Sequence, residues 1–349
     1  MIRILPPNIG IDLGTSRTRV YVSGKGIVLD EPTLVLAEKG KRRTAKKFGN
    51  DARAMLGRTT NKDIVVRPVV DGTVRDFEMT EEMLHFFIHK AIGASRLTRP
   101  RVVVATPGHA TPVEMEAVKN AIRNAGGKRN QLHVVSKALS AALGCGLNVS
   151  EAAGNMIVDI GGGTTEISVI SLNGEVISRT LRVGGLKMDD SIIDYVKRDF
   201  NMLIGDKTAE EVKIDLGSAL PLSEERRVTV RGRDLVTSLP QTADLTSGAV
   251  HEALSVPCKT ILDEICAVLE RVPPELAGDI LREGIYLTGG AAMLFGLDEY
   301  LAQELQIPIH LANDPAAATI RGLGRLADHY ETLRQQGIEN LSDHEEKDS

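Results

Sequence analysis

A chain of 349 residues, 42% apolar and 26% charged, exceeds one ordinary domain, so two lobes with separate cores are expected. A formal net charge of −5, 3% aromatic residues and no Trp exclude a general nucleic-acid binder that works by phosphate neutralisation or base stacking. Cys145, Cys258 and Cys266 form no C-x-x-C pair and have no neighbouring His cluster, which argues against zinc and for buried small hydrophobes in a reducing cytosol.

In chain order, Ile2, Ile4 and Leu5 beside Arg3 are stopped by Pro6 and Pro7, which is too short for a signal peptide or a stable helix and leaves a weak membrane anchor. Residues 8–22 read as an apolar strand, a small-residue turn and a second strand. Thr80 is expected to cap a helix with Glu81 and Glu82 in its first turn and Met83, Leu84, Phe87, Ile88 and Ala91 on its buried stripe. Ser95-Arg96-Leu97-Thr98-Arg99-Pro100-Arg101 has one apolar tip and three arginines, suited to anionic lipid or to a solvated basic loop. Residues 101–105 form a buried strand. Thr111-Pro112 opens a helix over 114–124 that Gly126-Gly127 ends. Another helix covers 137–147.

Residues 155–169 repeat the opening strand, turn and strand in the same register. Helices are expected at 189–200 and 208–216, and an exposed β-ribbon at 222–239. A long helical region over 246–272 should be interrupted near Pro257 and stopped by Pro273-Pro274. Ile285-Tyr286-Leu287-Thr288 runs as a strand into Gly289-Gly290, and the charged residues 342–349 should fray. No run approaches the length of a membrane span. Alternating helix and strand signals give an α/β architecture.

The repeat carries the chemistry. Asp12 matches Asp159 and Gly14 matches Gly161 about one domain length apart, so two related lobes each open with a Gly-rich hairpin. Small residues at such turns let backbone N–H groups approach phosphate oxygens, and Thr15, Ser16, Thr164 and Thr165 add hydroxyls. Asp12 and Asp159, at the ends of their strands, suit a hydrated Mg²⁺ or the orientation of an attacking water. One such turn usually only reverses the chain; a matched pair with a third glycine turn at 289–290 points to a nucleotide.

The strings Gly10-Ile11-Asp12-Leu13-Gly14-Thr15, Gly26-Ile27-Val28-Leu29-Asp30-Glu31-Pro32, Met55-Leu56-Gly57-Arg58-Thr59, Pro273-Pro274-Glu275-Leu276 and Leu287-Thr288-Gly289-Gly290 resemble the actin, heat-shock chaperone and sugar kinase superfamily, and within it the MreB family. The resemblance implies an actin-like α/β fold with two lobes and a nucleotide cleft. The first lobe would span 1–149 with a small subdomain near 36–68, and the second 150–315 with one near 185–247. Residues 316–349 would return to the first lobe. It implies ATP with Mg²⁺ held through water by Asp12 and Asp159. Thr15, Ser16 and Arg17 would lie on one phosphate loop, and Gly162, Gly163 and Thr164 on the other. Glu210, Glu211, Val212 and Lys213 would wall the nucleoside, with Gly289, Gly290, Ala291 and Ala292 on the adenosine loop. It also implies self-association into filaments, alone or with another MreB, at the inner face of the cell membrane. There they would work with the cell-wall elongation machinery to set rod shape. A divergent paralogue with slow hydrolysis and a small-molecule kinase remain as alternatives.

Three positions depart from the family pattern. Lys137 stands where the family has a Glu that positions water; a cationic Lys cannot accept a proton, which implies tight ATP binding with weak turnover. Arg17 replaces Asn and could reach a phosphate or turn outward. Leu186 replaces Asp, removing a candidate metal or water contact.

Overall fold

The computed structural model describes residues 6–40, 43–93, 99–127 and 131–331. The N-terminal anchor at 2–5, the loop residues 95–98 and the tail at 342–349 lie outside the described residues. By contact the chain divides into two compact units, one comprising Met1–Glu151, Leu172–Gly174 and Ala317–Ser349, the other Ala152–Ser171 and Glu175–Ala316.

The first unit opens with β1 (Asn8–Leu13), β2 (Arg17–Val22) and β3 (Gly26–Pro32), an antiparallel run. A small sheet follows from β4 (Val35–Glu38), β5 (Ala45–Phe48) and β6 (Asp63–Val66), with the short helix α1 (Gly49–Arg53) beside it. The ribbon of β7 (Val69–Val70) and β8 (Thr73–Val74) leads to α2 (Phe77–Ile92). Then come β9 (Arg101–Thr106), α3 (Pro112–Asn124), β10 (Leu132–Ser136) and α4 (Lys137–Cys145). The main sheet has the order β10-β9-β1-β2-β3, with β1, β9 and β10 parallel.

The second unit contains β11 (Asn155–Ile160), β12 (Thr165–Ser171), β13 (Gly174–Leu181), α5 (Gly185–Phe200), β14 (Met202–Leu203) and α6 (Asp206–Leu216). After the hairpin of β15 (Arg227–Asp234) and β16 (Pro240–Thr246) come α7 (Ser247–Leu269), α8 (Pro274–Glu283), β17 (Ile285–Thr288), α9 (Leu297–Leu305) and β18 (Ile309–Leu311). Its main sheet runs β13-β12-β11-β17-β18, again with the first strand antiparallel to its hairpin partner and parallel to the two later strands. The two sheets share one topology, so the sequence repeat is a repeat of architecture. Finally α10 (Ala318–Asp328) belongs to the first unit.

Both faces of the first sheet are covered, which explains its near-continuous apolar strands. Along β9, Val102 and Val104 join Met83, Phe87 and Ile122 from α2 and α3 on one side. Val103 and Ala105 join Ile320 and Leu323 of α10 on the other. There α4 and α10 approach through glycine: a methyl group at Gly144 would sit 1.8 Å from the Ala318 carbonyl oxygen, and one at Gly322 would sit 1.7 Å from that of Ser140. The second unit has one continuous core in which α5, α6 and α7 pack on β11 and β12.

Several local expectations are corrected. The second helix of the first unit starts at Phe77, capped by Asp76, whose carboxylate accepts the Met79 N–H at 3.2 Å. Thr80 is already inside the helix, donating its hydroxyl back to the Asp76 carbonyl at 2.7 Å. The ribbon expected at 222–239 is displaced, with strands at 227–234 and 240–246. Pro257 does not interrupt α7, which continues through it because the flanking Leu254, Cys258, Ile261 and Ile265 are all core residues. Burying that face outweighs the lost hydrogen bond, about 3 kcal/mol for an interior proline. Pro273 and Pro274 do end the segment, and they also start the next, as N-cap and first residue of α8. Cys258 is buried, its thiol pushed up to about 12 by desolvation, but Cys266 is exposed. No helix among the described residues is long and apolar enough to cross a membrane.

Candidate functional site

In the first unit the β1–β2 hairpin is closed by the Gly14 N–H donating to the Arg17 carbonyl at 3.1 Å. In the second the Gly161 N–H donates to the Thr164 carbonyl at 2.8 Å. The same bond at repeat-related positions fixes the same register, so Asp12 and Asp159 are each the fifth residue of their strand and both are nearly buried, at 6% and 2% exposure. Because β1, β9 and β10 run parallel, Asp12 and the turn after it lie at the carboxyl edge of the sheet. That is where open α/β sheets bind ligands.

Thr15 is buried, and its hydroxyl accepts the Gly72 N–H at 2.9 Å, which ties the turn to the β7–β8 ribbon; Ser16 is half-buried. Lys137 leaves the same edge as the first residue of α4 and is half-buried, behind the N-cap Ser136, whose hydroxyl accepts the Leu139 N–H at 3.2 Å. Arg17 turns toward β3: its guanidinium donates to the Asp30 carbonyl at 2.8 Å and ion-pairs with the Asp30 carboxylate. Its side chain is thus engaged with the neighbouring strand.

The second unit brings more of the expected residues together. The turn Gly161 to Thr164 is docked on the start of α5, where the Gly185 and Leu186 N–H groups donate to the Gly161 and Gly162 carbonyls at 2.9 and 2.8 Å. Gly162 and Gly163 are half-buried beside the buried Thr164. Leu186 thus serves the loop through its backbone. Lys213 of α6 donates to the Gly185 carbonyl at 2.7 Å and pairs with the Asp189 carboxylate at 2.7 Å. Burial pushes the Asp189 carboxyl up to about 6, with Lys213 opposing the rise. A methyl group at Gly185 would lie 3.3 Å from Lys213 Nζ and 3.4 Å from Ala291 Cβ, so the second loop, the α6 wall and the loop after β17 converge there.

Gly289, at φ 89°, presses on Asp159: a side chain would meet the Ile160 carbonyl oxygen at 2.2 Å and Asp159 Oδ1 at 2.6 Å. Thr288 donates its hydroxyl to the same Oδ1 at 3.2 Å. Gly290 is open and Ala291 half-buried, whereas the side chains of Ala292 and Val212 are both in the core, so each can present only backbone. Glu210 is half-buried; Glu211 is exposed and pairs with Lys207 at 3.6 Å.

The donor chemistry suits Mg²⁺ in part. Asp12 and Asp159 are hard carboxylate oxygens at a carboxyl edge, the kind of ligand that ion takes in ones and twos with water completing its shell. Among the described residues no cluster of three or more candidate ligands forms a ready-made cage.

Sequence reasoning missed Arg19, Asp30 and Asp189. Arg19 is legible in retrospect, since the bond from Gly14 to Arg17 sets it directly opposite Asp12. Asp189 lies one helical turn beyond Gly184-Gly185 and is found only through Lys213.

Residues 6–335 match the family model described as MreB/Mbl protein. The chain is 41% identical to the cell shape-determining protein Mbl of Bacillus subtilis over 331 residues, covering 95% of this chain and 98% of that one. It is 44% identical to the cell shape-determining protein MreB of Escherichia coli over 323 residues, covering 91% and 92%. Among solved structures it resembles MreB5 of Spiroplasma citri bound to AMPPNP, with a TM-score of 0.89 at 35% identity over 95% of this chain and 99% of that one. It also shares its fold with a MamK double helical filament, with a TM-score of 0.75 at 22% identity over 93% and 99%. The fold is the actin-like α/β fold.

Proposed function

Because this chain belongs to the MreB/Mbl family, we propose that it binds ATP with Mg²⁺ and assembles into actin-like filaments. These would organise cell-wall synthesis at the inner face of the cytoplasmic membrane and so determine rod shape. The observation that carries the nucleotide half is the repeated hairpin. Two sheets of one topology each place an aspartate, Asp12 or Asp159, at the same register before a turn closed by the same hydrogen bond. The relative bound to AMPPNP supports a nucleoside triphosphate as ligand, and the relatives named for cell shape support the cellular role.

In this reading Thr15, Ser16 and Arg17 belong to one phosphate loop and Gly162, Gly163 and Thr164 to the other. Glu210, Glu211 and Lys213 wall the nucleoside, with Val212 contributing backbone, and the segment from Gly289 to Ala292 borders the adenosine. Asp12 and Asp159 are the candidate water-mediated metal ligands. The lobes in this reading span 1–149 and 150–315, with smaller subdomains near 36–68 and 185–247 and with 316–349 returning to the first lobe.

Lys137 makes turnover slow. It supplies a cation where proton acceptance from water is needed, at a helix start whose dipole already favours an anion. ATP then acts mainly as a bound switch that favours the polymerising conformation.

Negative-stain electron microscopy of the purified protein with ATP and Mg²⁺ tests the assignment. Regular filaments that require nucleotide are expected, and dispersed particles under every nucleotide condition would sink it. Phosphate release by wild type and Lys137→Glu tests the slow step: the variant should be faster, and equal rates would remove Lys137 from the account.

A further inference from the structure

The β15–β16 hairpin of the second unit ends in a tip that the nucleotide reading leaves unused. Register pairs Arg233 with Pro240, so residues 234–239 turn the chain. Three apolar side chains stand out from that turn: Leu235 at 41%, Val236 at 83% and Leu239 at 64% exposure. Leu203 of β14, paired with Arg233, adds a fourth at 38%. The polar groups of the turn are engaged within it. The Asp234 carboxylate accepts the Val236 N–H at 2.8 Å, the Thr237 N–H at 2.6 Å and the Thr237 hydroxyl at 2.9 Å. The Leu235 N–H donates to the Asn201 carbonyl at 2.9 Å, the Ser238 N–H to the Asp234 carbonyl at 3.0 Å, and the Asp234 N–H to the Leu239 carbonyl at 2.9 Å. The Leu239 N–H reaches the Thr237 hydroxyl at 3.4 Å, and Pro240 has no N–H. Every backbone donor from Asp234 to Leu239 is thus satisfied by the protein itself.

Water satisfies such donors on an ordinary exposed loop, so a loop that supplies its own acceptors while exposing apolar side chains suits a surface where water is scarce. Charge selects which surface. On the outward face of β15, Arg231 and Arg233 are exposed just behind the tip, while Arg227 is farther back and pairs with Glu225 at 2.9 Å. Asp244 also lies farther back, opposite Thr229, whose hydroxyl it accepts at 2.6 Å. An apolar tip followed by cations matches anionic lipid: the tip enters the boundary between headgroups and acyl chains, about 5–10 Å deep, and the arginines meet the phosphates above it. At about 3.4 Å per residue, Arg233 and Arg231 trail Val236 by at most roughly 10 and 17 Å, and their long side chains reach back toward the headgroups. A second copy of this chain is the poorer occupant, because a tip of three side chains falls far short of the roughly 800 Å² per partner that a stable protein interface buries. We propose that the β15–β16 tip is a membrane-seating knob that inserts Leu235, Val236 and Leu239 into an anionic bilayer surface, with Arg231 and Arg233 bound to lipid phosphate. One knob binds weakly, and a filament that repeats it binds by avidity. This rests on the reading of the chain as a membrane-associated protein.

The chain has no Trp, so Val236→Trp places a single indole fluorophore at the tip of the full-length protein. With vesicles of phosphatidylcholine and phosphatidylglycerol its emission should shift to the blue and be quenched by lipids brominated in the acyl chains. With phosphatidylcholine alone, at the same lipid concentration, neither should occur. A blue shift without vesicles, or one with vesicles that brominated lipid does not quench, would assign the tip to a contact between copies and overturn the proposal. Co-sedimentation with the same anionic vesicles dispenses with the reporter. Val236→Ser combined with Leu239→Ser should weaken partition about tenfold or more, and Arg231→Gln and Arg233→Gln about fivefold each at low salt. All four side chains are exposed, so the fold tolerates their replacement. Arginine variants that bind as tightly as wild type would overturn the proposal. Wild-type binding that the Ser pair leaves intact overturns the knob alone and leaves the membrane reading standing, whereas failure of wild type to bind anionic vesicles, with or without nucleotide, overturns both.

Discussion

Replacing Gly322 by Ala tests the helix crossing that covers one face of the first sheet. Intrinsic helix propensity favours Ala over Gly by about 1 kcal/mol, so a helix considered alone would be stabilised. In place, the new methyl would sit 1.7 Å from the Ser140 carbonyl oxygen, whereas a comfortable C···O contact is about 3.3 Å or more. The helices would have to separate by roughly 1.5 Å, and a gap of 0.5–1 Å already forfeits about a quarter to a half of a dispersion contact. The obstructing atom is backbone on α4, which is anchored to the sheet, so no side-chain rotation relieves it. Overpacking costs of about 1–3 kcal/mol are ordinary, and this site belongs at or above the upper end. The net expectation, after subtracting propensity, is a loss of about 2–4 kcal/mol. Hydrogen exchange with mass-spectrometric readout localises it: peptides from α4, β9 and α10 should lose protection while those from β11 and β12 keep theirs. Gly144→Ala should behave alike, with its methyl 1.8 Å from the Ala318 carbonyl oxygen. The double variant should cost less than the sum, because one separation accommodates both methyl groups. A Gly322→Ala protein as stable as wild type, or more so, would refute the crossing geometry.

Thr111→Ala removes a capping box in which the Thr111 hydroxyl accepts the Glu114 N–H at 3.2 Å and the Glu114 carboxylate accepts the Thr111 N–H at 3.0 Å. A loss of about 1 kcal/mol is expected from urea unfolding. Glu114 is held below the usual 4.5, chiefly by that backbone bond. Its contribution is therefore complete above 4.5 and fades as pH falls through the lowered value; because Thr111→Ala keeps the backbone N–H, most of this acid-side loss should persist in the variant. Asp189 has the opposite sign: its folded value of about 6 lies above the ordinary 3.8, so the native state holds the proton more tightly than the unfolded chain. Wild-type stability relative to Asp189→Asn should therefore fall as pH rises from 3.8 to about 6. A gap that grows over that window would show that the Lys213 pair dominates. Lys137→Glu should stabilise the start of α4 by about 0.3–1 kcal/mol through the helix dipole, measurable by thermal unfolding without nucleotide.

What was legible in the sequence was local. The hairpins around Asp12 and Asp159 declared themselves because alternating apolar residues and a small-residue turn specify register within fifteen positions, and the Thr111, Pro112 and Glu114 signature fixed its helix start. Phe77 to Thr80 misled because Thr80 and Asp76 are both competent caps, and only burial of Met79 and Thr80 selects the earlier start. Pro257 misled because its local penalty is set against core packing along the whole of α7, a nonlocal quantity. The bridge from Lys213 to Asp189 and Gly185 spans 24 and 28 residues with no periodic signal between its ends. Arg19 was hidden differently: its position was computable from the hairpin, but a charged residue on an alternating strand reads by default as facing solvent.

The placement of α10 has a consequence for biosynthesis. Every strand of the second unit's main sheet, from β11 to β18, is synthesised before α10 begins at Ala318. The first unit, although its sheet starts at Asn8, waits for α10 to supply Ile320 and Leu323 against Val103 and Ala105, and for the Ala327 carbonyl to accept from Asn8 at 3.0 Å. The half that leaves the ribosome first is thus the half that matures last, with one face of its sheet lacking its helix partner throughout elongation. A released chain truncated near residue 316 would carry every strand of the second unit's main sheet but a first unit with one sheet face uncovered, an aggregation-prone state.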